Sequence, residues 1–154
     1  MQLIPFTEED FVSLYTFMKP LWYETYGGFL PKEQIDFLLD MYFSPSGLAH
    51  YRSLGYQYRK IDDVGVLVYV DRGTEIYMDK LYLLPSARGK GYAAFAFAQL
   101  SSFGKDVMLS VNQKNERAMR CYKKNGFVVV EEKEVLLDNG MKNYDYIMKK
   151  SVTV

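Results

Sequence analysis

A single layered α/β domain is what this sequence of 154 residues predicts, and three observations carry that prediction. Apolar residues recur at helical spacing in some segments and alternate like strands in others, interleaved in the order β-α-α-β-β-β-α-β-α-β-β. A β-rich run over 75–84 stops at Pro85 and passes through an Arg88-Gly89-Lys90-Gly91 turn into an Ala/Phe-rich helix. The length suits one core without staples, and residues 1–154 show no repeat, low-complexity stretch or linker.

Residues 2–6 read as a short strand. Thr7 is a natural N-cap, and Glu8, Glu9 and Asp10 fill the first turn of a helix. Phe11, Leu14, Tyr15, Met18, Leu21 and Trp22 recur along it, and Pro20 is expected to kink or loosen its end. Gly27-Gly28 breaks the chain. Pro31 suits the first turn of a second helix with the apolar face Ile35, Leu38, Leu39 and Tyr42. Ser44-Pro45-Ser46-Gly47 reads as a turn before a short helix over 48–54. Strands over 56–61 and 64–70 meet at Asp62-Asp63, and Asp71-Arg72-Gly73-Thr74 turns into the strand over 75–84. The following helix places Tyr92, Phe95, Ala96, Gln99, Leu100 and Phe103 on one face, which must pack on a sheet. Residues 107–111 read as a buried strand and 116–125 as a helix. Strands over 128–137 and 143–148 form a hairpin about Asp138-Asn139-Gly140.

Composition narrows the function. With 49% apolar and 25% charged residues this reads as an ordinary soluble protein. Lys plus Arg equal Asp plus Glu at 19 each, so no global field recruits nucleic acid or an anionic membrane. Cys121 is the only cysteine and His50 the only histidine, which excludes an internal disulfide and argues against a His/Cys metal site. Met1-Gln2-Leu3-Ile4-Pro5 lacks a basic leader region and no apolar run reaches bilayer length, so the cytoplasm is the expected compartment. The 14 Tyr and 10 Phe are too many for the surface alone, and each buried tyrosine needs a partner for its hydroxyl.

The turn at 88–91 carries most of the chemistry. Backbone N–H groups at a helix N-terminus, the helix dipole and two glycines together suit a phosphate or pyrophosphate. A Walker loop fails twice: Leu84 stands at its first glycine, and Gly91 where Ser or Thr belongs. Gly89-Lys90-Gly91-Tyr92-Ala93-Ala94 fits a dinucleotide fingerprint, but Leu109, Ser110 and Val111 lie where its acidic ribose partner should be. The third reading is Arg-x-x-Gly-x-Ala, written here as Arg88-Gly89-Lys90-Gly91-Tyr92-Ala93. Further on, Asn115, Ala118 and Tyr122 share a helical face ahead of Gly126-Phe127, with Asn115 a natural N-cap and Gly126 a natural C′ residue.

Both motifs, in this order and with one predicted strand between them, resemble those of the GNAT superfamily of N-acetyltransferases. The resemblance covers residues 56–150 closely and 1–55 in outline. It implies a mixed central sheet flanked by helices, and acetyl-CoA (CoA) as the cofactor. The strands over 75–84 and 107–111 would splay, and backbone groups near Leu81 and Leu83 would bond the pantetheine arm. The N–H groups of Arg88, Gly89, Lys90, Gly91, Tyr92 and Ala93 would bind the pyrophosphate, with the Arg88 and Lys90 side chains adding charge. Asn115 would bond the arm, cap its helix, or do both. Tyr122 would protonate the departing thiolate, and a backbone N–H near Leu83 would face the oxyanion.

One departure concerns the general base. Some members carry a glutamate five residues before the motif asparagine, where this chain has Ser110. Asp79 is the ionisable substitute, with Glu75 behind it and a water chain as the alternative. Acceptor sites in this fold lie near the first two helices and the terminal hairpin, which directs attention to Trp22, Tyr23, Glu24 and Tyr26. Aromatics around an acid suit a cationic amine, and closing the core is their other reading. Residues 144–150 faintly resemble polyamine-acetylating members. The expected activity is acetyl transfer to a primary amine of a small cationic, polyamine-like molecule or of a peptide. The alternative is an acyl-CoA-binding sensor without turnover. No metal, nucleic acid or membrane is expected as a partner, and a homodimer is compatible with the resemblance.

Overall fold

The computed structural model describes residues 1–152. Its elements are β1 (Leu3–Pro5), α1 (Glu8–Tyr26), α2 (Lys32–Phe43), α3 (Pro45–Ser53), β2 (Gln57–Ile61), β3 (Gly65–Asp71) and β4 (Glu75–Leu83). After a 3-10 turn at Pro85–Ala87 come α4 (Tyr92–Ser101), β5 (Asp106–Asn112), α5 (Glu116–Lys124), β6 (Val128–Leu136) and β7 (Lys142–Lys150). The predicted order holds with α3 established as a full element. Its start corrects one expectation: Ser44-Pro45-Ser46-Gly47 is a helix beginning, with Ser44 accepting from the Gly47 N–H at 3.1 Å and Pro45 in the first turn.

Thr7 caps α1 reciprocally with Asp10, as its sequence suggests. Pro20 neither stops nor shortens α1, because buried Leu21 and Trp22 anchor the turn beyond it. The α4 helix begins at Tyr92, since Gly89 and Gly91 take left-handed φ values of 73° and 87° that an α-helix cannot include. Its inward face is Ala96, Phe97 and Leu100. The helix ends at Ser101, so Phe103 falls past it and stands half exposed, and Gln99 is exposed as well.

The seven strands form one mixed sheet in the order β1-β2-β3-β4-β5-β7-β6. Neighbours run antiparallel except β4 and β5, which are parallel. One core, containing Leu67, Phe97, Leu109, Phe127 and Met148, packs with α4 and α5. The other, containing Met18, Trp22, Leu38, Leu39 and Val68, packs with α1 and α2. Leu39 and Phe97 are fully buried, and truncating either to Ala would cost about 2–5 kcal/mol.

Two irregularities in β4 shape everything that follows. Its pairing with β5 runs from Glu75↔Asp106 to Met78↔Leu109 and stops, although both strands continue. Against β3, Val68 pairs with Lys80 and Tyr69 with Met78, so Asp79 is the extra residue of a β-bulge. The bulge changes the strand's alternation. Ile76 and Met78, then Leu81 and Leu83, join the α4/α5 core, while Tyr82 joins the α1/α2 core and Lys80 lies over the Tyr42 ring there.

Candidate active site

Where β4 leaves β5 the sheet opens into a cleft of about 880 Å³, walled by residues of both cores. Leu81, Leu83 and Ala93 come from one side, and Trp22, Tyr26 and Leu38 from the other. Past Met78 and Leu109, neither strand has the other as a hydrogen-bonding neighbour along the opening.

The glycine turn closes one end. A Cβ on Gly89 would meet no atom within 4 Å, and one on Gly91 only the Met1 Cε at 3.8 Å, so open space lies before α4. The Arg88 N–H is taken up by the Pro85 carbonyl at 3.3 Å. Among the described residues, the N–H groups of residues 89–94 make no hydrogen bond within the chain, and the first helical bond is Phe95 N–H to the Gly91 carbonyl. The unpartnered donors therefore begin one residue later than expected. Together with the helix dipole they suit an anion. Gly89, Gly91, Tyr92 and Ala93 line the cleft, whereas the exposed Lys90 side chain does not.

Glu24 lies beside this end, not in an amine pocket. Its Oε1 accepts from Arg88 Nη2 at 2.6 Å and Arg117 Nη1 at 3.3 Å. The Arg88 bond, with help from Arg117, holds its carboxyl below the usual range. Tyr23 also points elsewhere, donating to Asp36 of α2. Helix rotation explains the division: Trp22 and Tyr26, four apart, share the cleft-facing side with Thr25, whereas Tyr23 and Glu24 turn away.

In the middle of the cleft, Asn115 is 9% exposed and its Oδ1 caps α5 through the Ala118 N–H at 3.2 Å. Tyr122 lines the same wall and packs on Phe97 and Phe127, both with ring centroids 5.9 Å away. Burial pushes its phenol well above the ordinary tyrosine value, so its O–H stays protonated at any physiological pH.

Another part of the lining is aromatic. Tyr26 and Tyr82 share a hydroxyl–hydroxyl bond of 2.6 Å, with the Trp22 ring 5.1 and 5.7 Å from theirs. The Tyr77 hydroxyl donates to Ser110 Oγ at 3.0 Å. Asp79 lines the cleft, but its carboxylate is paired with the Lys80 ammonium. Lys80 is only 7% exposed and sits 3.6 Å from the Tyr42 ring centroid. Burial lowers its pKa against the pull of Asp79. Glu75 pairs with Arg72 at 3.8 Å and does not line the cleft.

Sequence reasoning missed Asp145. This residue of β7 lies opposite Asn112 in register and lines the cleft. Burial raises its carboxyl pKa, against the opposing charge of Lys133. The available signal was an acid between two tyrosines in a strand, but both faces of that strand carry aromatic or apolar residues.

Comparison with known proteins fits this geometry. A family model described as the acetyltransferase (GNAT) family matches residues 15–127. The chain belongs to the GNAT family. Uncharacterised N-acetyltransferases of Mycobacterium bovis and Mycobacterium tuberculosis are 36% identical to it over 83 residues, 51% of this chain and 53% of theirs. The GNAT chain thus spans about half the length of the curated relatives it matches. Among solved structures, the PaiA N-acetyltransferase of Thermoplasma acidophilum in complex with coenzyme A has a TM-score of 0.71 at 22% identity, covering 97% of this chain and 98% of that one. A chimera of spermidine N-acetyltransferase SpeG from Vibrio cholerae with hSSAT has a TM-score of 0.62 at 14% identity, covering 97% and 94%. At these identities the likeness establishes a shared GNAT fold. Among the described residues, no helix is long and apolar enough to cross a membrane.

Proposed function

We propose that this GNAT protein transfers an acetyl group from acetyl-CoA to a primary amine, and that the acceptor is a small cationic molecule of polyamine type. The observation carrying this reading is the open seam between β4 and β5, continuous with the unpartnered N–H groups at the start of α4. The cofactor's chemistry fits what the chain offers. Six consecutive N–H groups and the neighbouring Arg88 and Arg117 suit phosphates, and two unpaired strand edges suit an arm containing amides. The coenzyme A bound to the Thermoplasma protein supports the assignment.

Bound acetyl-CoA supplies a thioester whose carbon–sulfur bond breaks as the carbon–nitrogen bond forms. Tyr122, kept neutral by burial, donates its phenolic proton to the departing sulfur and takes one back from the newly acylated nitrogen. Backbone groups beside Leu81 and Leu83 and the Asn115 amide hold the arm. The aromatic lining favours an ammonium-bearing acceptor through cation–π attraction, and the spermidine acetyltransferases among the structural neighbours support that class. The binding-only alternative has no observation of its own. Calorimetry with CoA, followed by CoA release against a panel of amines and polyamines, tests the reading. Tight CoA binding with turnover of a polyamine is expected, and a folded protein that binds no CoA would refute it.

A further inference from the structure

The geometry points to an ammonium site built round Asp145, in which this carboxylate holds the acceptor amine and takes its proton. The inference rests on the acetyl-transfer reading and names the residue that reading lacks.

The alternation of β7 sets successive side chains on opposite faces. Tyr146 and Met148 pack into the α4/α5 core, so Asp145 and Asn143 stand on the other face. There Asn143 accepts from Gln34 of α2. This is the face of Tyr26 and Tyr82, and Asp145 lies within electrostatic reach of the Tyr26 phenol. Among the described residues, two acids line the cleft, Asp79 and Asp145.

Asp79 already has a cation, because the buried Lys80 ammonium is its partner and rests on the Tyr42 ring. That pair is an ammonium held by a carboxylate and an aromatic face, supplied by the chain itself. Glu24, beside the cleft, is occupied by two arginines. The Asp145 carboxylate has no hydrogen bond or ion pair among the described residues, and Lys133, opposite it on β6, is exposed and outside pairing distance.

A half-buried carboxylate without a partner, in a cleft walled by tyrosines, is costly unless a ligand's cation completes it. Charge is distributed to match. Arg88, Arg117, Arg120 and Lys124 line the cleft from the glycine turn and α5, where the phosphates belong; Lys133 of β6 lines it too, without pairing with the Asp145 carboxylate on β7. Burial makes Asp145 a better proton acceptor than an exposed aspartate. The ammonium loses one proton to an Asp145 carboxylate oxygen, leaving the nitrogen lone pair free to attack. Asp145 then passes that proton to water.

Calorimetric titration of the whole protein with spermidine, without acyl donor, tests the site directly. A parallel titration with CoA reports on the reading beneath it. Wild type is expected to bind both ligands. Asp145→Asn should weaken spermidine at least tenfold while CoA affinity stays within about threefold, and Asp145→Glu should recover part of the loss. Spermidine binding unchanged in a folded Asp145→Asn variant would overturn the site. So would a wild type that binds CoA but no spermidine. Loss of CoA binding in wild type would instead bring down the acetyl-transfer reading, and the site with it.

Discussion

Tyr122 and Asp145 are shifted by the same burial toward opposite uses: the phenol is kept protonated and the carboxylate is made more basic. Tyr122→Phe retains the ring that packs on Phe97 and Phe127 and removes only the acid. Its kcat should fall about 10²–10⁴-fold with CoA affinity unchanged in calorimetry. Asp145 makes a prediction about stability. Its folded-state pKa is raised, so its ionised form opposes folding above that pKa, whereas below the unfolded value of about 3.9 both states are protonated and the cost vanishes. Asp145→Asn should therefore raise Tm at pH 7–8, with the gain shrinking toward pH 4. Equal melting of the two proteins at pH 8 would mean that the carboxylate is better solvated than its surroundings imply. Legibility at this scale depended on fixed offsets. Asn115 and Tyr122 could be read because seven positions along one helix fix their common face. Trp22, Tyr23, Glu24 and Tyr26 were grouped by residue type, and only the rotation of α1 separates the two that reach the cleft from the two that do not.

The turn into α4 and the cap of α1 make predictions as elements. Gly91 at φ 87° would cost any L-residue with a β-carbon roughly 1–2 kcal/mol, although no packed atom opposes the added carbon. Gly91→Val should fold with a lowered Tm and lose CoA binding, and Gly91→Asn should recover much of the stability because Asn tolerates left-handed backbone. Unchanged CoA affinity in folded Gly91→Val would remove the anion site from this turn. Thr7→Ala removes the side-chain half of the α1 capping box, the bond that Thr7 Oγ1 accepts from the Asp10 N–H, and should cost about 1 kcal/mol in denaturant melts, with CoA affinity at its wild-type value. Most elements were legible from apolar spacing and turn residues. The start of α3 was not, because Ser-Pro-Ser-Gly opens a helix and a turn with the same residues, and only the chain beyond it decides. The separation of β4 from β5 was visible through family resemblance alone, since strand pairing leaves no mark in either strand's composition.

For the whole molecule, the parallel contact at Glu75–Met78 and Asp106–Leu109 joins two antiparallel blocks of the sheet. A ligand in the seam should act as a clamp on both. At a concentration 100 times its Kd, CoA should stabilise the fold by about 2.7 kcal/mol, and amide exchange should slow most over residues 79–83 and 110–112. Protection confined to the glycine turn would mean that the ligand does not enter the seam. The layer order was readable in advance, whereas the charge polarity of the cleft needed three dimensions. Glu24 and Asp145 exchange roles only when the fold shows which arginines and tyrosines each one meets. The extra residue at Asp79 bears on how such a site is encoded. It shifts the phase of β4, giving Leu81 and Leu83 to one core and Lys80 and Tyr82 to the other. Were all nine residues of β4 to pair regularly with β3, with Asp79 taking a place in the ladder, the two sets would exchange faces. The cleft is thus written partly in spacing: the same residues on a flat, unbulged β4 would turn the other set towards it.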